Sequence, residues 1–203
     1  MLKELLKDHE IILASGSPRR QKIFKDLKIP VTIDVRPIDE IFPEHLKKEE
    51  ITDFLSALKA EAFKKDLKKN QILITSDTIV YNDGKALGKP KDHKQAVEMI
   101  KSLSGKDHEV ITSVCFTTTN EQKILNHTTK VTFSALSDKE IEYYVSNYKP
   151  FDKAGGYAIQ EWIGLIGIEK IEGSYFNVVG LPTHEVYKTI KKILETDYPQ
   201  GKI

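Results

Sequence analysis

Apolar and polar positions along this chain repeat in two periods, and each change of period marks an element. Ile11-Ile12-Leu13 is a short unbroken apolar run, the pattern of a strand buried on both faces. After Ser17-Pro18, Ile23, Phe24 and Leu27 recur at helical spacing. Proline suits the first helical position, where its missing N–H removes no bond, and Ser17 suits the N-cap. Residues 31–36 predict a second strand. Phe54, Leu55, Leu58 and Ala62 predict an amphipathic helix over about 49–67, closing on a lysine-rich turn at 64–69 that reads as a solvated face. Residues 71–76 read as a buried strand that ends at Asp77-Thr78.

The middle of the chain turns to hairpins. Ile79-Val80-Tyr81, the turn signal Asn82-Asp83-Gly84 and residues 85–90 read as strand, turn and return, which brings Lys89 back toward Asp77. Ala96, Val97, Met99, Ile100 and Leu103 predict a helix stopping at Ser104-Gly105. Two longer strands follow over about 109–118 and 123–134. Ser137-Asp138-Lys139-Glu140 is a capping box opening a helix to about 145. Residues 152–160 form a glycine-bearing loop, 163–171 an apolar strand, and Pro182 opens the last helix, to about 194. The sum is an α/β chain, a mixed sheet with helices on both sides, read as one domain over 1–203 with a cleft between two lobes.

Composition narrows the function. The 203 residues carry 31 basic against 30 acidic side chains, a net charge of +1, so bulk attraction to nucleic acid or to a membrane surface is not expected. Charged residues interrupt the first ten positions, and no later apolar stretch is long enough to span a bilayer. The single cysteine, Cys115, excludes an intrachain disulfide and reads as inert core; the expected location is the cytoplasm.

The candidate chemistry starts at the first strand-loop-helix unit. A helix start behind a tight loop offers unpaired N–H donors and the positive end of a dipole, and Arg19 and Arg20 would add charge and bidentate donors for a phosphate. An ordinary capped helix with both arginines in solvent fits the same spacing. Asp77, placed just past a buried strand, sits where open α/β sheets handle ligands, and could hold Mg²⁺ or orient a water; it also fits a turn-initiating aspartate. Glu40, in the acidic loop at 39–44, has the same two readings. Two carboxylates sharing one divalent ion would account for an acidic pair in a chain that also offers Arg19, Arg20, Lys59, Lys89 and Lys153.

These residues, taken in order, resemble the Maf family. The resemblance is carried by 13–20 (LASGSPRR), Asp39-Glu40, Lys59-Ala60, Ser76-Asp77-Thr78, Gly88-Lys89-Pro90, 103–105 with His108, Asp152-Lys153-Ala154-Gly155, 157–160 and Gly180-Leu181-Pro182. It implies an elongated mixed α/β fold with a deep cleft, similar to inosine triphosphate pyrophosphatases. The implied activity is hydrolysis of a nucleoside triphosphate to the monophosphate and pyrophosphate, aided by a divalent metal, Mg²⁺ or Mn²⁺. It also implies Asp77 as proton acceptor, with Ser15, Arg19, Arg20, Glu40, Lys59, Lys89 and Gln160 lining the cleft, Lys153 in a family motif, and a homodimer. Arg19, Thr78 and Gln160 match the branch similar to dTTP and UTP hydrolases; the branch acting on 7-methylguanosine triphosphate carries tryptophan and glutamine at the first two positions. A glutamine carboxamide can match the N3–H donor and O4 acceptor of uracil or thymine, a pattern cytosine reverses.

Other readings stay open at this stage: a nucleotide-binding regulator of cell division without turnover, or a housekeeping pyrophosphatase for damaged purine nucleotides. A P-loop or kinase-type phosphoryl transferase is disfavoured because neither signature occurs. Trp162 fits either the cleft mouth or a packing position, and His108 fits a structural hydrogen bond.

Overall fold

The computed structural model describes residues 2–196. Met1 and residues 197–203, which the one-domain reading of 1–203 includes, lie outside the described residues. After a short helix α1 (Leu2–Leu5), strand β1 (Glu10–Leu13) runs into helix α2 (Pro18–Asp26), followed by β2 (Thr32–Ile33) and α3 (Glu49–Glu61). Strands β3 (Gln71–Asn82) and β4 (Lys85–Leu87), helix α4 (His93–Leu103), and the long strands β5 (Asp107–Thr117) and β6 (Gln122–Phe133) make up the centre. Helix α5 (Asp138–Tyr148), a 3₁₀ turn at Ala154–Gly156, α6 (Trp162–Gly167), β7 (Ile168–Glu172), α7 (Tyr175–Val179) and α8 (Thr183–Thr196) complete it.

One seven-stranded mixed sheet runs through these elements in the order β2-β1-β3-β5-β6-β7, with β4 paired to β3. β1 is parallel to β2 and β3; the other pairings are antiparallel. Alternation along β3 sends Ile72 and Ile74 into a core shared with Phe24 of α2 and Ile190 of α8, and Leu73 into a second core with Ala60 of α3 and Phe63 just beyond it. Helices therefore cover both faces. Ile72, Leu73 and Ile74 are fully buried, each contributing about 1.5–3 kcal/mol of burial free energy.

The sheet has one interruption that matters. β1 pairs with β3 as far as Leu13↔Ile74, and β4 joins the same edge only from Leu87↔Val80, while β5 stays paired along the other edge from Leu73 to Tyr81. Residues 75–79 thus have a neighbouring strand on one side only. Chain direction reverses across this break, the position where open sheets admit ligands.

Four sequence expectations shift. β3 continues through Asp77 for 12 residues, because β5 holds it in register, so Asp77 lies inside a strand and not past its end. The strand expected over 31–36 shrinks to Thr32–Ile33, as Arg36 turns away to bond Asp66 and the Ala62 carbonyl. The helix expected to reach 67 ends at Glu61. The apolar run over 163–171 splits into α6 and β7: Gly164 packs its Cα so close to the Ile159 carbonyl that a Cβ there would lie 1.8 Å from the oxygen, and the chain coils at that contact before extending. The helices α1 and α7 have no counterpart in the sequence reading. Among the described residues no helix is long and apolar enough to cross a membrane.

Candidate active site

The break in the sheet edge opens into a cavity of about 630 Å³. Its lining includes Ser15, Arg19, Arg20, Glu40, Lys59, Asp77, Thr78, Lys89, Lys153 and Gln160, so the structure brings every sequence-predicted site residue to one place. They come from separate parts of the chain: the β1–α2 loop, the first turn of α2, the acidic loop, α3, β3, the β4–α4 connection and the loop after α5.

Alternation along β3 sends Asp77 to the face covered by α3 and Thr78 to the opposite face. Asp77 is buried, with 7% of its surface exposed, and its Oδ1 accepts from Lys59 Nζ at 2.7 Å. The same ammonium lies 2.9 Å from Glu40 Oε1 and donates to the Ser76 carbonyl at 3.4 Å. Lys59 therefore draws the two carboxylates to a shared point. Burial alone would raise the Glu40 pKa, but Lys59, Lys89 and Arg20 outweigh it and hold the carboxyl below its ordinary value.

Arg20 enters from the other face. Its Nε donates to the Gly180 carbonyl at 2.9 Å, Nη1 to Ser76 O at 3.1 Å and Ser15 Oγ at 3.4 Å, and Nη2 to Thr78 Oγ1 at 2.8 Å. The Ser76 carbonyl is free to accept from Arg20 and Lys59 because no strand pairs with it on that edge. Desolvation lowers the Arg20 pKa to about 10, against the opposing pull of Asp77, so the guanidinium stays charged at neutral pH. Four of its five N–H donors are committed to protein oxygens, which makes Arg20 a clamp more than a free hand.

Arg19 Nη1 pairs with Asp152 Oδ2 at 3.1 Å, linking the start of α2 to the loop after α5. Lys153 is nearly buried, its Nζ held by Asp152 Oδ1 at 2.8 Å and Glu161 Oε1 at 3.4 Å; Glu161 also accepts from the Tyr144 hydroxyl. Asp152, half-surrounded by protein, would be raised by that burial, but Lys153 and Arg19 pull it below its ordinary value. Lys89 and the exposed Gln160 amide make no hydrogen bond or ion pair with any described residue, which leaves both available at the cavity.

Ser17 is the N-cap of α2, but its side chain caps nothing; Ser15 Oγ instead accepts from Ser17 N at 3.3 Å, shaping the loop ahead of the arginines. Trp162 packs edge-on to Tyr143 and does not line the cavity. His108 makes the structural hydrogen bond, Nε2 to Tyr157 Oη at 2.7 Å. Cys115 is fully buried, its thiol pKa raised by burial. The sequence reading gave no role to the Gly180 carbonyl, although the Gly180-Leu181-Pro182 segment stood out; Gly180 takes φ +119°, which favours glycine and turns its carbonyl toward Arg20. Arg36 and Phe42 also line the cavity and had no sequence signal.

Among the described residues no three His, Cys, Asp or Glu side chains are placed to hold a metal by themselves. Two converging carboxylates still suit a hard divalent ion of the Mg²⁺ type, which binds through one or two carboxylates and takes its other oxygens from phosphate and water.

The family model described as "Maf-like protein" matches residues 10–193. A dTTP/UTP pyrophosphatase of Christiangramia forsetii is 80% identical over 196 residues, spanning 97% of this chain and 100% of the relative. Its namesake in Flavobacterium johnsoniae is 57% identical over 194 residues, spanning 96% and 100%. Among solved structures, the Staphylococcus aureus Ham1 protein aligns over 89% of this chain and 99% of its own, at 16% identity and a TM-score of 0.40.

Proposed function

This chain belongs to the Maf family, and we propose that it hydrolyses dTTP and UTP to the nucleoside monophosphate and pyrophosphate in the cavity at the sheet break. The observation that carries this reading is the convergence of Asp77 and Glu40 with Arg19, Arg20, Lys59 and Lys89 around one space of suitable size. A soluble cytoplasmic setting suits the substrate and the single, buried Cys115.

Hydrolysis needs a water driven at a phosphorus that already carries negative oxygens. Asp77 accepts the proton of that water as its oxygen bonds the α-phosphorus; the bond to the bridging oxygen breaks, and pyrophosphate leaves with that electron pair. Lys59 fixes the Asp77 carboxylate by the 2.7 Å bond, so the acceptor is oriented before substrate arrives. Arg19 and Lys89 take phosphate oxygens, Lys89 because no described residue hydrogen-bonds or ion-pairs with it, Arg19 by exchanging Asp152 for phosphate. Arg20 contributes charge and one spare N–H from a rigid mount. Lys153, held by Asp152 and Glu161, positions the loop that carries Gln160. Asp77 and Glu40 would hold a divalent ion, Mg²⁺ or Mn²⁺, whose contribution is to offset charge on the phosphate oxygens.

Base preference follows from Gln160. Its amide can accept from N3–H and donate to O4 of uracil or thymine, and held in that orientation it opposes cytosine, which presents the reverse pair. The test is a panel of dTTP, UTP, CTP, GTP and 7-methylguanosine triphosphate with Mg²⁺. We expect dTTP and UTP to be cleaved fastest, and Asp77→Asn to lower kcat on the order of 10²-fold or more. Faster turnover of the methylated purine, or full activity in the Asp77 variant, contradicts the reading.

A further inference from the structure

Behind Arg20 lies a chain of hydroxyls that runs from the half-buried Thr78 at the cavity to the fully buried Thr112. A guanidinium has no acceptor, so Arg20 Nη2 donates to Thr78 Oγ1. Thr78 and Thr112 are direct cross-strand partners on β3 and β5, with their hydroxyl oxygens 2.9 Å apart. Thr112 Oγ1 in turn lies 3.3 Å from the backbone carbonyl of Asn177, which can only accept. Thr112 is thus placed to give its single hydrogen to Asn177 and to accept the hydrogen of Thr78. In that arrangement every hydrogen points away from Arg20; whichever hydroxyl donates between Thr78 and Thr112, Thr78 turns a lone pair toward the guanidinium.

The far end of this chain is anchored. Asn177, fully buried in α7, donates from Nδ2 to the Val110 carbonyl at 2.9 Å and to Thr129 Oγ1 at 3.0 Å, and the Thr129 hydroxyl donates to the Ser174 carbonyl. Thr112 is fully buried and lies outside the cavity lining.

We propose that Thr112 is a positioning residue for the reaction, acting through Thr78 to fix the Arg20 guanidinium; this rests on the cavity being the triphosphate site. Without the Thr112 hydroxyl, the Thr78 hydrogen has no buried acceptor and turns, and the oxygen that Arg20 binds is no longer set. With its hydrogen given to Thr112, Thr78 has none to spare for a substrate, and its part in substrate handling runs through Arg20.

The experiment compares wild type, Thr112→Val, Thr112→Ser, Thr78→Val and the double valine variant, measuring kcat and KM for dTTP, melting temperature, and the NMR signals of the Arg20 side-chain N–H groups. Valine preserves shape and strand preference. We expect Thr112→Val to lower kcat about tenfold, the usual scale for a partner that orients a site group, and Thr112→Ser to stay within about twofold of wild type. The double variant should be no slower than Thr78→Val alone, because both act on one contact. In wild type and Thr112→Ser the Arg20 N–H signals should exchange slowly with water, and in Thr112→Val rapidly. Full activity in Thr112→Val, no rescue by serine, or additive losses would overturn the proposal. Rapid exchange of Arg20 in wild type would overturn it without any variant. A wild type that leaves dTTP intact would instead strike the functional reading, while the exchange measurement still decides the role of Thr112.

Discussion

Arg20 Nε donates to the carbonyl of Gly180 at 2.9 Å, joining the first turn of α2 to a residue 160 positions later in the chain. The contact closes the cavity from behind, because the same guanidinium also holds Ser15, Ser76 and Thr78. A lysine could keep the charge but not the fork.

Arg20→Lys should therefore lower both stability, by about 2 kcal/mol or more, and turnover. Arg19→Lys should behave differently. Its ion pair with the exposed Asp152 contributes about 0–1 kcal/mol, so its melting temperature should match wild type while KM for dTTP rises. Chemical denaturation and steady-state kinetics on the two variants check this contrast. Equal stability losses in both would contradict it.

Ser76 gives the opposite kind of test. Its carbonyl accepts from Arg20 and Lys59, but its side-chain hydroxyl is buried with no partner among the described residues. A buried unpaired hydroxyl is a net cost, so Ser76→Ala should keep full activity and melt at the wild-type temperature or higher, a gain of up to about 1 kcal/mol. A clear loss of stability would mean that the hydroxyl has a bond the structure lacks.

His108 predicts a pH dependence of folding. Burial lowers its pKa from 6.5 to about 4, with nearby Asp107 opposing the fall. Between these values the unfolded chain takes up a proton that the folded chain refuses. The contribution is complete above pH 6.5, declines as pH falls by up to about 1.4 kcal/mol per unit, and is gone below about pH 4. His108→Gln has no such proton, so urea denaturation of the two proteins should converge or cross as the pH is lowered from 6.5 to 4. Parallel stability curves across that window would contradict it.

Local signals carried much of this site, and contacts between distant segments carried the remainder. Arg19 and Arg20 were legible because a strand, a serine-rich loop and a proline-started helix follow one another directly. The turn at Asp83-Gly84 was legible too, and with it the return of Lys89. Asp77 was singled out for a reason that the structure revises: the carboxylate is placed by a continuous strand whose neighbours on one edge diverge, and pairing of that kind is set by β1, β4 and β5 together. The commitment of Arg20 to Gly180, and of Thr78 to Thr112, depends on tertiary register and leaves no mark in local periodicity. For the same reason the apolar run after Trp162 read as a strand: its composition suits either state, and the Gly164–Ile159 contact decides between them.

The most direct test of the account is to run the hydrolysis of dTTP in ¹⁸O-labelled water with Mg²⁺ and find the label. Attack on the α-phosphorus by the water that Asp77 deprotonates predicts one ¹⁸O in dTMP and none in an intact pyrophosphate. Label in the pyrophosphate, or release of orthophosphate with dTDP, would contradict it.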